Sequence, residues 1–372
     1  MNINESGMED VLSEKRGGAP DGEVKISIVI PVYNAAKTLE YTVGSILSPS
    51  FFDSCELILV DDGSTDGSQE ACDGIARMSG RIHVVHKQNG GVSSARNAGM
   101  AAASGLYLTF VDSDDLLPAG CLAEWLDTLS AENPADLYVG GYRLSGSAPS
   151  GNEPVDSRVY GKDSLGVFID DNHSDSGSYM RPVWGKLFRK SVIDRLGLRF
   201  EPGLSYGEDV LFLYRFLLGC DSAGTVPRCT YIYRAGMSGL SSDLSSDRHL
   251  GQLMMLLQPY SGTIREMERR FPGSVTVSHV YHRDFVGRLI CRLLTVFATR
   301  RTSMCNSDNI SRLYHYMSGD RELSRFGGVF SLRAGQIPSL MLFRLKAPLL
   351  SAHFYRLSAC ICELFRIRPR RY

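Results

Sequence analysis

The sequence predicts an α/β fold, a mostly parallel central sheet flanked by helices with a helical C-terminal extension. Two features of residues 26–140 carry this expectation. Short continuous apolar runs alternate with helical stripes, and polar clusters close several of the runs. Unbroken apolar strands separated by helices belong to sheets covered on both faces. Ligands of such sheets bind outside the carboxyl ends of the strands.

Taken in order, Ile26–Val32 is a continuous, largely β-branched strand. Residues 35–47 place Leu39, Val43, Ile46 and Leu47 on one helical stripe. Residues 57–60 form a second buried strand, followed by a polar turn and a helix near 68–78. A strand at 82–85, a helix at 92–103 and a strand at 106–111 continue the alternation. Residues 145–157 are rich in Ser, Gly and Pro and read as a loop. A helix over 206–218 has Glu208 and Asp209 in its opening turns, and 225–234 reads as a strand. From about Arg248 the pattern is helical, with breaks at Pro272 and near Gly327.

The chain has 372 residues, 43% hydrophobic and 22% charged, which is the make-up of an ordinary globular protein with length for a sizeable core. A formal net charge of -1 speaks against a nucleic-acid binder, which would be basic. The nine cysteines show no zinc-ligand spacing and read as free thiols in a reducing compartment. Residues 1–24 are polar, lack the pattern of a signal peptide and read as a disordered leader. No run of 18 apolar residues occurs, so the expected location is cytoplasmic, with a peripheral position on the inner face of the membrane also open.

Three strand ends carry the chemistry. The first is Pro31-Val32-Tyr33-Asn34, the second runs from Asp61-Asp62-Gly63-Ser64 to Ser68, and the third is Asp112-Ser113-Asp114-Asp115. Carboxylates at i and i+2 beyond a buried strand suit a hard divalent cation that takes its other oxygens from a diphosphate. The bland reading of the same residues is a turn. Asp61-Asp62 can receive a pyrimidine N–H beneath a stacking Tyr33, while Ser64 or Asp66 can cap the next helix. Gly90-Gly91 enters a helix carrying Arg96 and fits neither the P-loop nor the dinucleotide fingerprint. Arg96 offers a planar fork to phosphate, or is a solvated surface arginine. Glu208-Asp209 is either a general base at a helix start or acidic decoration of that start.

These segments, with Gly207-Glu208-Asp209, occur in the order seen in family 2 glycosyltransferases, and the chain resembles that family over about residues 25–240. The resemblance implies a GT-A fold, inversion at the anomeric carbon and a Mn²⁺ or Mg²⁺ ion. It implies a nucleotide-sugar-binding half over 25–115, an acceptor half over 116–240 and a separate helical, basic region over 241–372. Pro31, Tyr33 and Asp62 would hold the base, uracil in most members. Asn89 and Arg96 would lie along the nucleotide and its phosphates. Asp112 would face the ribose or a metal-bound water, Asp114 would bind the metal, and Asp209 would be the general base. Asp115 is expected to cap the following turn. Trp184-Gly185-Lys186 resembles a segment lining the acceptor side, although many members carry Asn where this chain has Gly185. Residues 231–234 with Ser238-Gly239 resemble a strand and loop that close over the donor. His249 is either a further metal ligand or, more simply, a solvated helix-start histidine.

The implied activity is transfer of a sugar from a nucleotide diphosphate sugar, UDP-linked in most members, to a hydroxyl of a glycan or lipid-linked acceptor in surface polysaccharide synthesis. The alternative from another class is a catalytically silent sugar-nucleotide-binding scaffold of a glycan assembly complex. Residues 323–372 hold nine Lys/Arg and only Glu363 as an acid, interleaved with apolar residues. They read as basic amphipathic helices suited to an anionic membrane surface, or as a structural cap.

Overall fold

Strand β1 (Ile26–Val32) is buried along its whole length and forms the axis of the parallel part of the sheet. It pairs in parallel with β2 (Cys55–Asp61) on one side and with β4 (Tyr107–Phe110) on the other. Strand β3 (Ile82–His86) extends this parallel set beyond β2. The computed structural model describes residues 23–146, 153–154, 156–172, 180–234 and 247–277. The chain divides into two compact units, Met1–Leu240 and Ser241–Tyr372.

Beyond β4 the sheet becomes mixed. Strands β5 (Leu137–Leu144), β6 (Val159–Gly161), β7 (Lys186–Arg189) and β8 (Ser222–Tyr233) complete the order β3-β2-β1-β4-β7-β5-β8-β6. Strand β7 runs antiparallel to both β4 and β5, and β6 runs antiparallel to β8. The sequence expectation of a parallel sheet therefore describes β1–β4. Of the rest, the sequence predicts β8 over 225–234, whereas β7 is a Lys-Leu-Phe-Arg segment with charged ends and β5 is interrupted by Gly140-Gly141, where its pairing with β8 slips. Neither segment is long enough or regular enough to show a period.

The first unit carries eight helices among its described residues: α1 (Leu39–Ile46), α2 (Pro49–Ser54), α3 (Ser68–Ala76), α4 (Val92–Ala102), α5 (Cys121–Leu129), α6 (Leu165–Asp171), α7 (Lys190–Leu196) and α8 (Glu208–Gly219). The apolar stripe Leu39, Val43 and Ile46 of α1 joins Ile28, Ile30, Leu57 and Leu59 in one core. A ring cluster mounts α8 on the sheet. Phe212 stacks on Phe200 with centroids 4.2 Å apart and meets Phe110 of β4 and Phe188 of β7 edge-on. Such aromatic pairs add about 0.5–1.5 kcal/mol each beyond area burial, and here they set where Glu208 and Asp209 start their helix.

In the second unit, α9 (Asp247–Arg270) ends just before Pro272, as the sequence pattern predicts. Its buried Leu256, Tyr260, Ile264 and Met267 share one helical face. Among the described residues, no helix is long and apolar enough to cross a membrane, and Cys55, Cys72, Cys121, Cys220 and Cys229 are free thiols. Residues 1–22 of the expected leader and the basic segment 323–372 lie outside the described residues, while Val24 O accepts from Leu106 N–H at 3.2 Å.

Helix α4 approaches the sheet at Gly99, where a Cβ would lie 2.3 Å from Val29 Cγ1 and 3.2 Å from Val60 Cγ2. Only hydrogen fits there without displacing β1 or β2. Overpacking costs about 1–3 kcal/mol, more than the roughly 1 kcal/mol an alanine gains over glycine in a helix. Gly99→Ala should therefore lower the urea midpoint. Gly74→Ala on α3 should leave it level or raise it, since a Cβ there meets only the Arg77 guanidinium at 3.8 Å.

Candidate active site

The parallel register sets Val32 beside Asp61, so the loops after β1 and β2 leave the sheet side by side. They are tied together by the polar run that follows Asp61. Asn34 N–H donates to Ser64 Oγ at 3.1 Å, Ala35 N–H to Ser68 Oγ at 2.8 Å, and Ala36 N–H to Asp66 Oδ2 at 3.1 Å. In return Thr65 N–H donates to Asn34 Oδ1 at 2.9 Å. Much of this motif is thus structural. Asp66 also accepts from Ser68 N–H in the first turn of α3, while Gly67 takes the N-cap position.

This tie leaves Tyr33 53% exposed at the rim, whereas Pro31 is buried inside β1. Asp62 is buried and fastens the glycine loop: it accepts from Gly90 N–H at 3.0 Å and Gly91 N–H at 2.7 Å, and pairs with Lys87. Asn89 is exposed in the same loop. Behind it, His86 bridges Asp61 (Nδ1, 3.2 Å) and Asp73 of α3 (Nε2, 3.0 Å).

At the end of β4 the acidic cluster divides its work. Asp115 is fully buried and does more than close a turn: it accepts from Tyr231 Oη–H at 2.7 Å and Arg234 N–H at 2.7 Å, anchoring the end of β8. Burial pushes its carboxyl up to about 7. The Tyr231 hydroxyl also accepts from Asp112 N–H at 3.1 Å. Asp112 and Asp114 remain partly exposed. Among the described residues, no group of three or more His, Cys, Asp or Glu is arranged to hold a metal ion. The donor set on offer is a pair of hard carboxylates, which fits a divalent ion that arrives with a diphosphate and keeps several waters.

Arg96 differs most from its sequence-based placement. Both sequence readings put it outward, toward phosphate or solvent, but its side chain is 3% exposed. Nη2 donates to Asp112 Oδ1 at 3.0 Å, and Nη1 donates to Glu208 Oε1 at 3.0 Å and Asp209 Oδ1 at 2.5 Å. Three carboxylates from two separate segments draw the guanidinium inward, and it lies over the Phe200 ring at 5.3 Å. Burial opposes its charge, but Asp209, Asp112 and Glu208 more than compensate and keep it protonated. Its neighbours on the same helical face fix α4 to the segment before α8. Ser93 Oγ donates to Leu204 O at 2.5 Å, while Asn97 exchanges two bonds with the Phe200 backbone at 2.8 and 2.9 Å.

Of the two acids on α8, Asp209 is the more accessible, with 21% side-chain exposure against 9% for Glu208. Burial, then the charge of Asp209, pushes the Glu208 carboxyl upward. Lys186 of β7 is buried beside them, and burial brings its ammonium down to about 7 against the pull of Asp209. Gly185 has φ +66°, a conformation that glycine and, among other residues, asparagine adopt readily. This φ is one that Asn at position 185 could also take. Trp184 stacks on Tyr231 with centroids 4.3 Å apart and meets Tyr142 edge-on at 5.0 Å. His249 lies in α9, and its side chain, like Ser238 and Gly239, lies outside the described residues.

The sequence reading left Ser93, Asn97 and Tyr231 without roles. Ser93 and Asn97 were legible as an i, i+4 pair on the helix that carries Arg96. Tyr231 had no comparable signal, because its partners are 116 and 119 positions away.

A parallel β1–β4 sheet whose strand ends face an acidic helix start is the layout of a GT-A glycosyltransferase. Residues 27–197 match the family model described as glycosyl transferase family 2, and this segment belongs to that family. The Bacillus subtilis (strain 168) protein described as uncharacterized glycosyltransferase EpsJ is 30% identical over 219 residues, 58% of this chain, and the aligned part spans 62% of EpsJ, less than two thirds. The Staphylococcus aureus (strain N315) poly(ribitol-phosphate) beta-N-acetylglucosaminyltransferase TarP is 29% identical over 73% of this chain and 79% of its own. The crystal structure of S. aureus TarS 1-349 in complex with UDP-GlcNAc shares the fold, with a TM-score of 0.61, 16% identity, and coverage of 89% of this chain and 90% of that one.

The His86 bridge between Asp61 and Asp73 gives a pH test of the scaffold at the end of β2. Burial works against a charged His86, but its bonds to Asp73 and Asp61 outweigh that and raise its pKa above 6.5. A raised histidine pKa contributes stability that is complete below the unfolded value and disappears as pH rises through the folded one. Melting curves should show His86→Gln less stable than wild type at pH 5.5, with the gap closing by pH 9. A gap that does not change with pH would contradict the charged bridge.

Proposed function

We propose that this chain is an inverting glycosyltransferase that moves a sugar from a UDP-sugar to a hydroxyl of a glycan or lipid-linked acceptor in surface polysaccharide synthesis. The observation that carries the reading is the Arg96 cluster, which brings a donor-side carboxylate, Asp112, and a candidate base, Asp209, onto one guanidinium. Inverting transfer is a single in-line displacement, so it needs one base beside the acceptor hydroxyl and no enzyme nucleophile.

In this reading Tyr33 stacks on the uracil, and Asp62, whose oxygens already accept from Gly90, Gly91 and Lys87, acts by holding the loop that lays Asn89 along the nucleotide. Asp112 faces the ribose, and Asp114 holds Mn²⁺ or Mg²⁺, which when bound supplies positive charge to the leaving diphosphate. Asp209 takes the proton of the acceptor hydroxyl. Trp184 and Tyr142 offer an aromatic wall to the acceptor sugar. UDP-GlcNAc is the first donor to test, because TarS was crystallised with it and TarP is an N-acetylglucosaminyltransferase.

Removing a general base costs about 10²–10⁴-fold in rate, and Asp209 is assigned no contact with the nucleotide. Asp209→Asn should therefore bind UDP with unchanged affinity and turn over at least ~100-fold more slowly. Asp114→Asn should instead lose the tightening of UDP binding by Mn²⁺. Near-normal turnover by Asp209→Asn would remove the base assignment, and equal Mn²⁺-dependent binding by Asp114→Asn would remove the metal assignment.

A further inference from the structure

We propose that Arg96 is the positioning residue for Asp209, holding this carboxylate in line with the donor site, and that it is not a ligand of the diphosphate. This rests on the reading of Asp209 as the base. Three features carry the assignment.

The first is the direction of the side chain. Both terminal nitrogens donate to protein carboxylates, and Nε is buried with no hydrogen-bond partner. A phosphate ligand would present its fork to the open site. This one is 3% exposed, with Phe200 lying against it.

The second is the mount. Ser93 and Asn97 flank Arg96 on α4 and bind the backbone at Leu204 and Phe200, just before α8 begins. Phe200 in turn stacks on Phe212 of α8. The guanidinium, the segment before the base and the helix carrying the base are therefore held to one another by contacts that involve no ligand.

The third is the fork itself. Asp209 and Asp112 sit on different nitrogens of one rigid plane. The planar group fixes the spacing of the two acids, whereas an ammonium would supply charge at a single point.

Arg96→Lys separates positioning from charge. UDP and UMP binding with Mn²⁺ is measured by calorimetry, and turnover is measured with a panel of UDP-hexoses. For Arg96→Lys we expect the ratio of UDP to UMP affinity to stay at its wild-type value, any loss through Asp112 at the ribose being shared by both nucleotides, and kcat to fall by roughly 100-fold, the penalty for a base misplaced by about an ångström. Weaker UDP binding with UMP binding intact would mark Arg96 as a diphosphate ligand and overturn the inference, as would wild-type kcat. A wild type that turns over none of the panel would defeat the functional reading, and the inference with it. Should Arg96→Lys fail to fold, Asn97→Ala removes the two bonds to Phe200 and leaves every charge in place. Lower kcat at unchanged UDP affinity supports the inference, and unchanged kcat overturns it.

Discussion

A single buried guanidinium holds three carboxylates and so ties the end of β4 to the start of α8. Asp112 comes from the end of β4, Glu208 and Asp209 from the start of α8, and Arg96 from the middle of α4. Each ion pays a desolvation cost of several kcal/mol, recovered only where geometry and hydrogen bonding are good. Removing one partner of such a buried set costs about 3–5 kcal/mol, because the others are left uncompensated. The upward drift of Glu208, with burial as its largest cause, is one way the cluster limits its excess negative charge.

Ordinary packing places that guanidinium. Gly99 lets α4 lie directly on Val29 and Val60, which sets the depth of Arg96 one turn earlier. Phe110, Phe188, Phe200 and Phe212 set α8 against β4 and β7. On the other flank, Tyr231 and Asp115 join the end of β8 to the acidic loop, and the Trp184–Tyr231 stack extends that junction to Tyr142 of β5. The polar loops divide in the same way. Ser64, Asp66 and Ser68 hold backbone in place, while Tyr33 and Asn89 stay exposed.

Much of this was legible in the sequence. Strands β1 to β4 and helices α1, α3, α4 and α8 follow from periodicity, with ends that differ by only a few residues, because each is long or apolar enough to show its repeat. Strands β5 and β7 were not legible, since Gly140-Gly141 breaks the first and charged residues bound the two apolar ones of the second. The clustering of motifs at one sheet edge followed from parallel topology. The inward turn of Arg96 did not, because the acids that attract it lie 16, 112 and 113 positions away. Gly185 is a similar case: that its φ is one Asn could also take shows only in the structure.

The most direct test is a crystal structure of the chain with UDP and Mn²⁺. The account predicts that Arg96 stays buried, bonded to Asp112 and Asp209, while an ion at Asp114 meets the charge of the diphosphate. A guanidinium released from Asp209 and bonded to phosphate oxygens would contradict it.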